Sequence, residues 1–563
     1  MRPKVVGHDA IFPELRWSAC LIRGGTTGDD HAGNDRLRRA EGASARLFSA
    51  RKVTYARGDR DRTVFGTEAG RAMVHSAVII GSGFGGIGMA IRLRQAGIDD
   101  VVVLEKADDV GGTWRDNTYP GAACDIPSHL YSFSFERKAD WSRRFPPQAE
   151  ILDYLRHCAR KYGVLERTRF GAEVTEARFD EERALWRIST AAGDLLESRA
   201  LVAACGQLNR PVLPDIPGRG SFAGTSFHSA RWDHDADLRG RRVAVIGTGA
   251  SAVQIVPEIA KEAAELRVFQ RTPPYVIDKP DRPYRTWEKA VLTRMPWLYE
   301  LNRARIYAVY ESRALGFIKY PKLMSLVEYR FWRNLKEGVA DPALRAALVP
   351  DYPMGCKRIL ISSDYYPTLA RPHVDLVTDP IERITPTGVR TARRDYDVDV
   401  IVYATGFATT EFLAPMKIVG RDGRELNEAW RDGVQAHLGI MVSGFPNLFL
   451  LYGPYTNLGH NSIIYMLESQ FRYVLGCVEA MRRHGLAWID VRPDVQDAFT
   501  RRVRERMRAT VWETGCRSWY MTADGMVVNN WPGFTFAYRR ATRRPDPRHF
   551  RARRVTGAAP FPG

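Results

Sequence analysis

The chain has 563 residues, enough for about three to four domains. It is 45% hydrophobic and 26% charged, which is typical of a globular protein with large cores. The net charge is +18, and the two ends supply much of it: residues 1–72 carry 14 Lys/Arg against 9 Asp/Glu, and residues 538–563 carry 8 Arg against 1 Asp. Because aromatic residues do not alternate with these arginines, we predict solvated ends and no nucleic-acid partner.

The cysteines argue against a disulfide framework or a metal site. None of them forms a C-x-x-C pair or a metal-ligand spacing, which favours a reducing cytoplasmic location. No apolar run approaches about 18 residues, so no transmembrane segment is expected. The N-terminus also lacks the apolar core of a signal peptide. The seven cysteines are Cys20, Cys124, Cys158, Cys205, Cys356, Cys477 and Cys516.

Residues 1–72 have no sustained helical or strand periodicity and are predicted to be a disordered N-terminal extension. The first strand follows Met73, so Met73 is a candidate initiator and the extension need not be native. The alternative is a targeting arm, although its nine acidic residues argue against a mitochondrial one.

The first nucleotide-binding signature begins with a strand at residues 76–80 and continues into the glycine loop at residues 81–86. In that loop Gly81 makes the tight turn, Gly83 admits a pyrophosphate, and Gly86 lets helix and strand pack closely. A second strand ends at Glu105, whose carboxylate can accept a ribose hydroxyl and would repel a 2′-phosphate. This set predicts an FAD site.

The middle of this half reads as an amphipathic helix over residues 148–163, short strands near residues 173–179 and 186–189, and a last strand at residues 201–206. Three prolines at positions 211, 214 and 217 then mark a boundary between domains.

The second signature is a strand at residues 242–246 followed by the loop at residues 247–252, in which Ala252 replaces the third glycine. The next strand ends at Arg271 with no acidic residue. A guanidinium at that point favours a 2′-phosphate, so the sequence predicts NADPH rather than NADH.

Residues 222–233 lie between the two loops and read F-x-G-x-x-x-H-x-x-x-W, with Phe222, Gly224, His228 and Trp232 at the fixed positions. A fingerprint of this kind between two nucleotide loops resembles the Baeyer–Villiger monooxygenases, flavin enzymes that insert oxygen beside a ketone carbonyl. Relatives that oxidise nitrogen or sulfur usually end the pattern in Tyr or Phe, so Trp232 favours the ketone branch. The resemblance covers roughly residues 73–538.

The resemblance implies an α/β fold with two Rossmann-like dinucleotide-binding domains, for FAD and NADPH, and a helical insertion. The expected division is an extension (1–72), the first part of the FAD domain (73–216), the NADPH domain (217–379) with its insertion at about 275–351, the second part of the FAD domain (380–537), and a basic tail (538–563).

The resemblance also implies the roles of individual residues. Arg358, next to Lys357, is the expected catalytic arginine, and Asp125 is expected to hold it in place. The fingerprint is expected to act as a hinge and support, and no metal is expected. The residues expected to bind the cofactors are Gly81, Ser82, Gly83, Phe84, Gly86, Glu105, Lys106, Thr113, Trp114, Asp125, Tyr131, Val174, Gly247, Thr248, Gly249, Ala250, Ser251, Ala252, Gln254, Arg271, Thr272, Lys357, Asn457 and Trp519.

The implied reaction uses NADPH and O₂ and proceeds through a C4a-peroxyflavin to an ester or lactone. Two alternatives stay open from the sequence. One is a nitrogen- or sulfur-oxygenating flavin monooxygenase, which would not need Arg358. The other is a flavin-binding redox sensor without turnover, against which the presence of both Asp125 and Arg358 argues.

Overall fold

The structure is a computed structural model that describes residues 73–555. The predicted disordered extension and the last eight residues of the predicted basic tail lie outside these residues. The first part of the described chain forms β1 (Val74–Ile80), α1 (Phe84–Gln95), β2 (Val101–Leu104), α2 (Thr113–Asp116), α3 (Gln148–Lys161), β3 (Thr168–Arg169), β4 (Val174–Asp180), β5 (Leu185–Thr190) and β6 (Leu195–Ala203).

The central part begins at the fingerprint and includes the predicted insertion. Its elements are β7 (Thr225–His228), β8 (Arg242–Ile246), α4 (Ala250–Ile259), β9 (Glu265–Phe269), β10 (Val276–Ile277), α5 (Thr286–Arg294), α6 (Pro296–Ser312), α7 (Ala314–Ile318), α8 (Met324–Gly338), α9 (Pro342–Ala347), β11 (Leu360–Ile361), α10 (Tyr365–Leu369), β12 (Val374–Val377), β13 (Ile381–Thr385), β14 (Gly388–Thr391), β15 (Asp395–Asp397) and β16 (Val400–Tyr403).

The last part returns to the first sheet and then adds helices and a terminal strand pair. Its elements are β17 (Lys417–Val419), α11 (Leu426–Ala429), β18 (Leu448–Leu450), α12 (Ile463–His484), β19 (Leu486–Val491), α13 (Pro493–Met507), α14 (Thr535–Ala541) and β20 (Phe550–Arg554).

The first sheet is built around β1, which is buried along almost its whole length and pairs in parallel with β2 and β6. Its strand order is β17-β4-β5-β6-β1-β2-β3, and β18 pairs with the end of β6. Near-continuous apolar strands such as β1 are typical of parallel sheets covered on both faces. The nucleotide loop after β1 therefore lies at the carboxyl edge of a rigid sheet.

The second sheet is parallel, with the order β12-β9-β8-β16-β7. This sheet includes β16, which pairs with β8 and with β7 of the fingerprint. The predicted domain boundary at residue 380 is therefore corrected. The small antiparallel sheet β13-β14-β15 precedes β16. The second domain therefore extends to Tyr403, and the chain returns to the first sheet at β17. The partners of β16 lie more than 150 residues earlier in the chain, so no local sequence pattern could assign β16 to this sheet.

The predicted basic tail is also corrected over its described part. Residues 535–541 form α14, and β20 pairs antiparallel with β19. Tyr538 is fully buried, and its hydroxyl donates to the carbonyl of Leu438 at 2.7 Å. The sequence did not predict β20, because its side chains are mostly exposed arginines and it pairs with β19 through backbone groups alone.

Cys356 and Cys516 form a disulfide although they are 160 residues apart, which the scattered spacing of the cysteines did not predict. Cys124, Cys158, Cys205 and Cys477 are free. Within residues 73–555, no helix is long and apolar enough to span a bilayer.

Candidate active site

A cleft of about 1340 Å³ runs between the carboxyl ends of the parallel strands in the two sheets. Both glycine loops open into it, and so do the segments that contain Asp125, Arg358 and Trp519. Ligands of open α/β sheets bind at such edges, where the strand order reverses. The size and lining of the cleft suit two long nucleotide ligands better than one small molecule.

The loop after β1 has the backbone shape of a phosphate cradle. Gly81 has φ +97°, and a Cβ there would lie 2.8 Å from the carbonyl oxygen of Ala204. Gly83 is the N-cap of helix α1, which has no side-chain cap and no acidic residue in its first turn. Its first N–H groups and its dipole are therefore available to an anion, which fits the pyrophosphate of FAD.

Glu105 lies at the end of β2, as predicted, but its carboxylate is already well satisfied. Oε2 accepts hydrogen bonds from the backbone N–H and the hydroxyl of Ser82, at 2.9 and 2.7 Å. Oε1 accepts from the N–H of Ala107 at 3.1 Å and lies 3.0 Å from the Arg115 guanidinium. A carboxylate offers about four acceptor positions, so a ribose hydroxyl would have to replace one of these partners.

The charge of Glu105 follows from the same contacts. Burial alone would raise the pKa of this carboxyl, but Arg115, Ser82 and Ala107 together hold the pKa below its usual value. Glu105 is therefore ionised and fixes the loop at Ser82. The sequence signal had not indicated Arg115, which follows the Gly111-Gly112 pair by only three residues.

The second loop repeats this geometry after β8. Gly247 has φ +117°, and a Cβ there would lie 2.4 Å from the carbonyl oxygen of Ala404. Gly249 begins α4 without a side-chain cap, and a Cβ there would meet no atom within 4 Å. The open space beside Gly249 lets a ligand phosphate approach the backbone, which fits the pyrophosphate of NADPH.

Arg271 lies close to Lys357 in the cleft. Burial lowers the pKa of the Lys357 ammonium, and Arg271 lowers it further. The ammonium lies 4.3 Å from the centre of the Tyr352 ring. Both side chains line the cleft, and neither forms an ion pair with any residue between 73 and 555. Asp351 opposes the lowering of the Lys357 pKa only in part. Two neighbouring cations that line the cleft can bind a ligand dianion such as a 2′-phosphate.

Arg358 and Asp125 form an ion pair inside the cleft, as expected. Arg358 lies two residues before β11, and its Nε donates to Oδ2 of Asp125 at 2.9 Å, with a second contact from its terminal nitrogen. Burial alone would lower the pKa of the guanidinium, but the Asp125 carboxylate outweighs burial and raises the pKa. The side chains keep 26% and 34% of their surface exposed, so the pair remains accessible from the cleft.

Several known proteins resemble the chain over most of its length. A family model described as pyridine nucleotide-disulphide oxidoreductase matches residues 78–305. A Baeyer–Villiger monooxygenase of Pseudomonas aeruginosa is 44% identical over 83% of this chain and 89% of its own length. One from Streptomyces coelicolor is 46% identical over 83% and 91%. This chain is a Baeyer–Villiger monooxygenase by family.

Solved structures agree with this assignment. A steroid monooxygenase bound to NADP is 32% identical with a TM-score of 0.78, and 86% of this chain covers all of it. The structure titled OTEMO in complex with FAD and NADP is 30% identical with a TM-score of 0.77 and the same coverage. The predicted fold class, monooxygenase activity and use of FAD and NADPH are thereby confirmed.

The fingerprint of this monooxygenase lies outside the cleft. Gly224 packs so closely that a Cβ would lie 2.5 Å from the carbonyl oxygen of Asp399. Burial lowers the pKa of His228, and its neutral Nδ1 accepts from the N–H of Ala230 at 3.0 Å. The His228 ring also lies 5.9 Å from the Phe407 ring, in the segment that leads back to the first sheet. This placement agrees with support at the domain junction.

Most of the predicted cofactor residues line the cleft, but Gly86 and Ala252 do not. A Cβ at Gly86 would lie 1.8 Å from the carbonyl oxygen of Gly81, so this glycine allows helix and strand to pack. Ala252 is fully buried in the core of the second domain. Gln254 lines the cleft and joins the domains, because it accepts from the Tyr119 hydroxyl at 3.0 Å and donates to the Ala123 carbonyl at 2.9 Å.

Two tyrosines near Arg358 were not predicted. Burial raises the pKa of Tyr452 well above its usual value, although Arg358 opposes the rise, so this phenol stays protonated near neutrality. The Tyr452 hydroxyl donates to Oδ1 of Asn457 at 2.5 Å. Burial raises the pKa of Tyr520 to about 12, although Arg358 opposes that rise. Tyrosines are common core residues, and only the fold brings these two to Arg358.

Proposed function

We propose that this monooxygenase uses NADPH and O₂ to insert one oxygen atom beside the carbonyl of a ketone and gives an ester or lactone. The observation that carries the proposal is the Arg358–Asp125 pair, which lies in the cleft between the two phosphate loops. When bound, FAD supplies the oxygen activation and NADPH supplies the hydride. The loops at Gly81 and Gly247 would hold their pyrophosphates.

Arg358 supplies a fixed positive charge to the reacting atoms. A guanidinium is not deprotonated in proteins, because its pKa lies above about 12. It can therefore stabilise negative charge on the attacking oxygen and on the carbonyl oxygen as the carbonyl becomes tetrahedral. Asp125 orients the guanidinium by a charge-assisted hydrogen bond.

Arg271 and Lys357 would bind the 2′-phosphate of NADPH. A dianion bound between them would offset their mutual repulsion, and NADH, which has no 2′-phosphate, would give no such gain. Trp519 also lines the cleft and would help to exclude water from the reacting atoms.

A cytoplasmic location is part of the proposal. The four free cysteines of the described chain, three of them buried, are typical of a reducing compartment. The proposed partners are the ketone, O₂ and the two cofactors, and no nucleic acid.

The test is a screen of the purified enzyme for NADPH consumption over linear, cyclic and aryl ketones, with each product identified. A thioether serves as the comparison substrate. We expect esters or lactones that carry one atom from ¹⁸O₂. If the thioether is oxygenated and every ketone is returned unchanged, the nitrogen- or sulfur-oxygenating alternative replaces this proposal.

A further inference from the structure

The Cys356–Cys516 disulfide joins two segments that both contribute to the cleft. Cys356 directly precedes Lys357 and Arg358, and Cys516 precedes Trp519 by three residues. The two Cα atoms are 6.2 Å apart. The bond therefore fastens the segment that contains Trp519 and Tyr520 to the segment that contains the cationic pair.

Apart from this bond, residues 513–518 are weakly held. Among the described residues, their hydrogen bonds stay within residues 510–521, apart from a 4.0 Å contact of the Cys356 sulfur with the Cys516 carbonyl. The N–H of Glu513 donates to Thr510, that of Thr514 to Val511, and the Ser518 hydroxyl accepts from Tyr520. Residues 513–515 and Arg517 are exposed. A segment with few buried contacts opens locally at low cost, so the disulfide is its main attachment to the rest of the protein.

The residues that follow are held by the chain itself. The carbonyl of Trp519 accepts from the Thr409 hydroxyl at 2.6 Å and from the Asn529 side chain at 3.1 Å. Tyr520 is fully buried. Breaking the disulfide would thus free residues 513–518 while leaving a hinge at Trp519 and Tyr520.

We propose that Cys356 and Cys516 are a reversible oxidation site that latches residues 513–518 to the segment that contains Lys357 and Arg358. One thiolate attacks a peroxide, which cleaves the O–O bond, forms a sulfenic acid and releases one water or alcohol. The second thiol attacks that sulfur, forms the S–S bond and releases water. Two electrons pass from the thiols to the peroxide, and an external dithiol reverses the change.

The position of Cys516 in the fold and the proposed cytoplasmic location both favour a reversible disulfide over a permanent cross-link. Cytoplasmic disulfides are usually transient and redox-sensing. Cys516 is buried but lies between the exposed Gly515 and Arg517, so opening of one surface loop gives a reductant access. In the oxidised state the latched loop should slow the release of NADP⁺ from the site beside Lys357.

The experiment uses FAD-loaded enzyme treated with hydrogen peroxide or with dithiothreitol. After removal of the reagent, denaturation and alkylation should label all seven cysteines of the reduced protein and two fewer in the oxidised protein. Trypsin should cut after Arg517 about tenfold faster in the reduced protein, because proteolysis tracks the population of the open loop. NADP⁺ should also dissociate faster from the reduced protein.

Cys516→Ser and Cys356→Ala should behave as reduced protein after either treatment. Cys477→Ala, which removes a free buried cysteine from α12, is the matched control and should respond as the unmodified chain does. Equal cleavage after Arg517 and equal NADP⁺ release in both redox states would overturn the latch. A disulfide that survives dithiothreitol in the folded enzyme would overturn its reversibility.

Discussion

Arg358 is the residue at which the proposed chemistry can be tested most directly. Removing one fixed donor from a developing oxyanion costs about 3–4 kcal/mol of barrier, so Arg358→Ala should lose most ester formation. FAD and NADPH should still bind, because the glycine loops and the Arg271–Lys357 pair remain. Ester yield and NADPH oxidation are measured together.

The matched control for this variant is Arg390→Ala, which breaks a surface pair with Asp395 and should leave turnover unchanged. Arg358→Lys should rescue poorly, because an ammonium lacks the planar fork held by Asp125. Near-normal ester formation by Arg358→Ala would mean that the arginine only clamps the nucleotide.

Arg271 is expected to determine the choice of nicotinamide cofactor. A charged hydrogen bond contributes about 1.5–3 kcal/mol, so Arg271→Ala should raise the KM for NADPH roughly tenfold or more. The KM for NADH should change little, since NADH has no 2′-phosphate. Arg239→Ala, an exposed arginine paired with Asp237, is the control. An equal loss with both nucleotides would reject the phosphate contact.

At the scale of elements, β19 contains a carboxylate whose burial costs stability. Asp490 is 3% exposed and accepts from the N–H of Gly444. Burial raises its pKa from 3.8 to about 6, although Gly444 and nearby arginines oppose the rise. The folded state binds this proton more tightly than the unfolded state does. Ionisation of Asp490 therefore lowers the free energy of unfolding as the pH rises from about 4, and the full loss is reached above the folded pKa.

Asp490→Asn should therefore stabilise the protein at about pH 8, by up to about 3 kcal/mol for a shift of about two pKa units. The amide oxygen can still accept from Gly444. The gain should shrink to about half near pH 5, where the folded wild-type group is mostly protonated. Thermal unfolding across this range measures it, and a gain that does not vary with pH would contradict the assignment.

The same scale shows what the sequence could predict. The strand, glycine loop and helix of each nucleotide site are local patterns, and α1, α3 and α4 follow them. The place of β16 in the second sheet and the pairing of β20 with β19 depend on partners far along the chain. The sequence of such a strand does not indicate which strand it pairs with, so the domain boundary and the C-terminal strand were not predicted.

The site divides in the same way. Asp125 and Arg358, 233 residues apart, were predicted only because the family resemblance placed them together. Arg115, Tyr452 and Tyr520 carry no motif, and their roles follow from the folded contacts. For the molecule as a whole, local sequence thus predicts the nucleotide cradles, whereas the groups between them depend on how the two sheets are joined.

The two basic ends of the chain should behave differently on truncation. Removing residues 1–72 should leave the melting temperature, the FAD content and turnover nearly unchanged, because this segment has no buried-face pattern and β1 begins after it. Removing residues 546–563 deletes β20 and should lower the melting temperature, because β19 loses its partner along five pairs of residues. Arg548→Ala, which breaks only an exposed pair with Asp546, separates loss of charge from loss of the strand. Both truncations are compared by thermal unfolding and flavin absorbance. If the first truncation unfolds the protein and the second does not, the basic ends have been assigned the wrong way round.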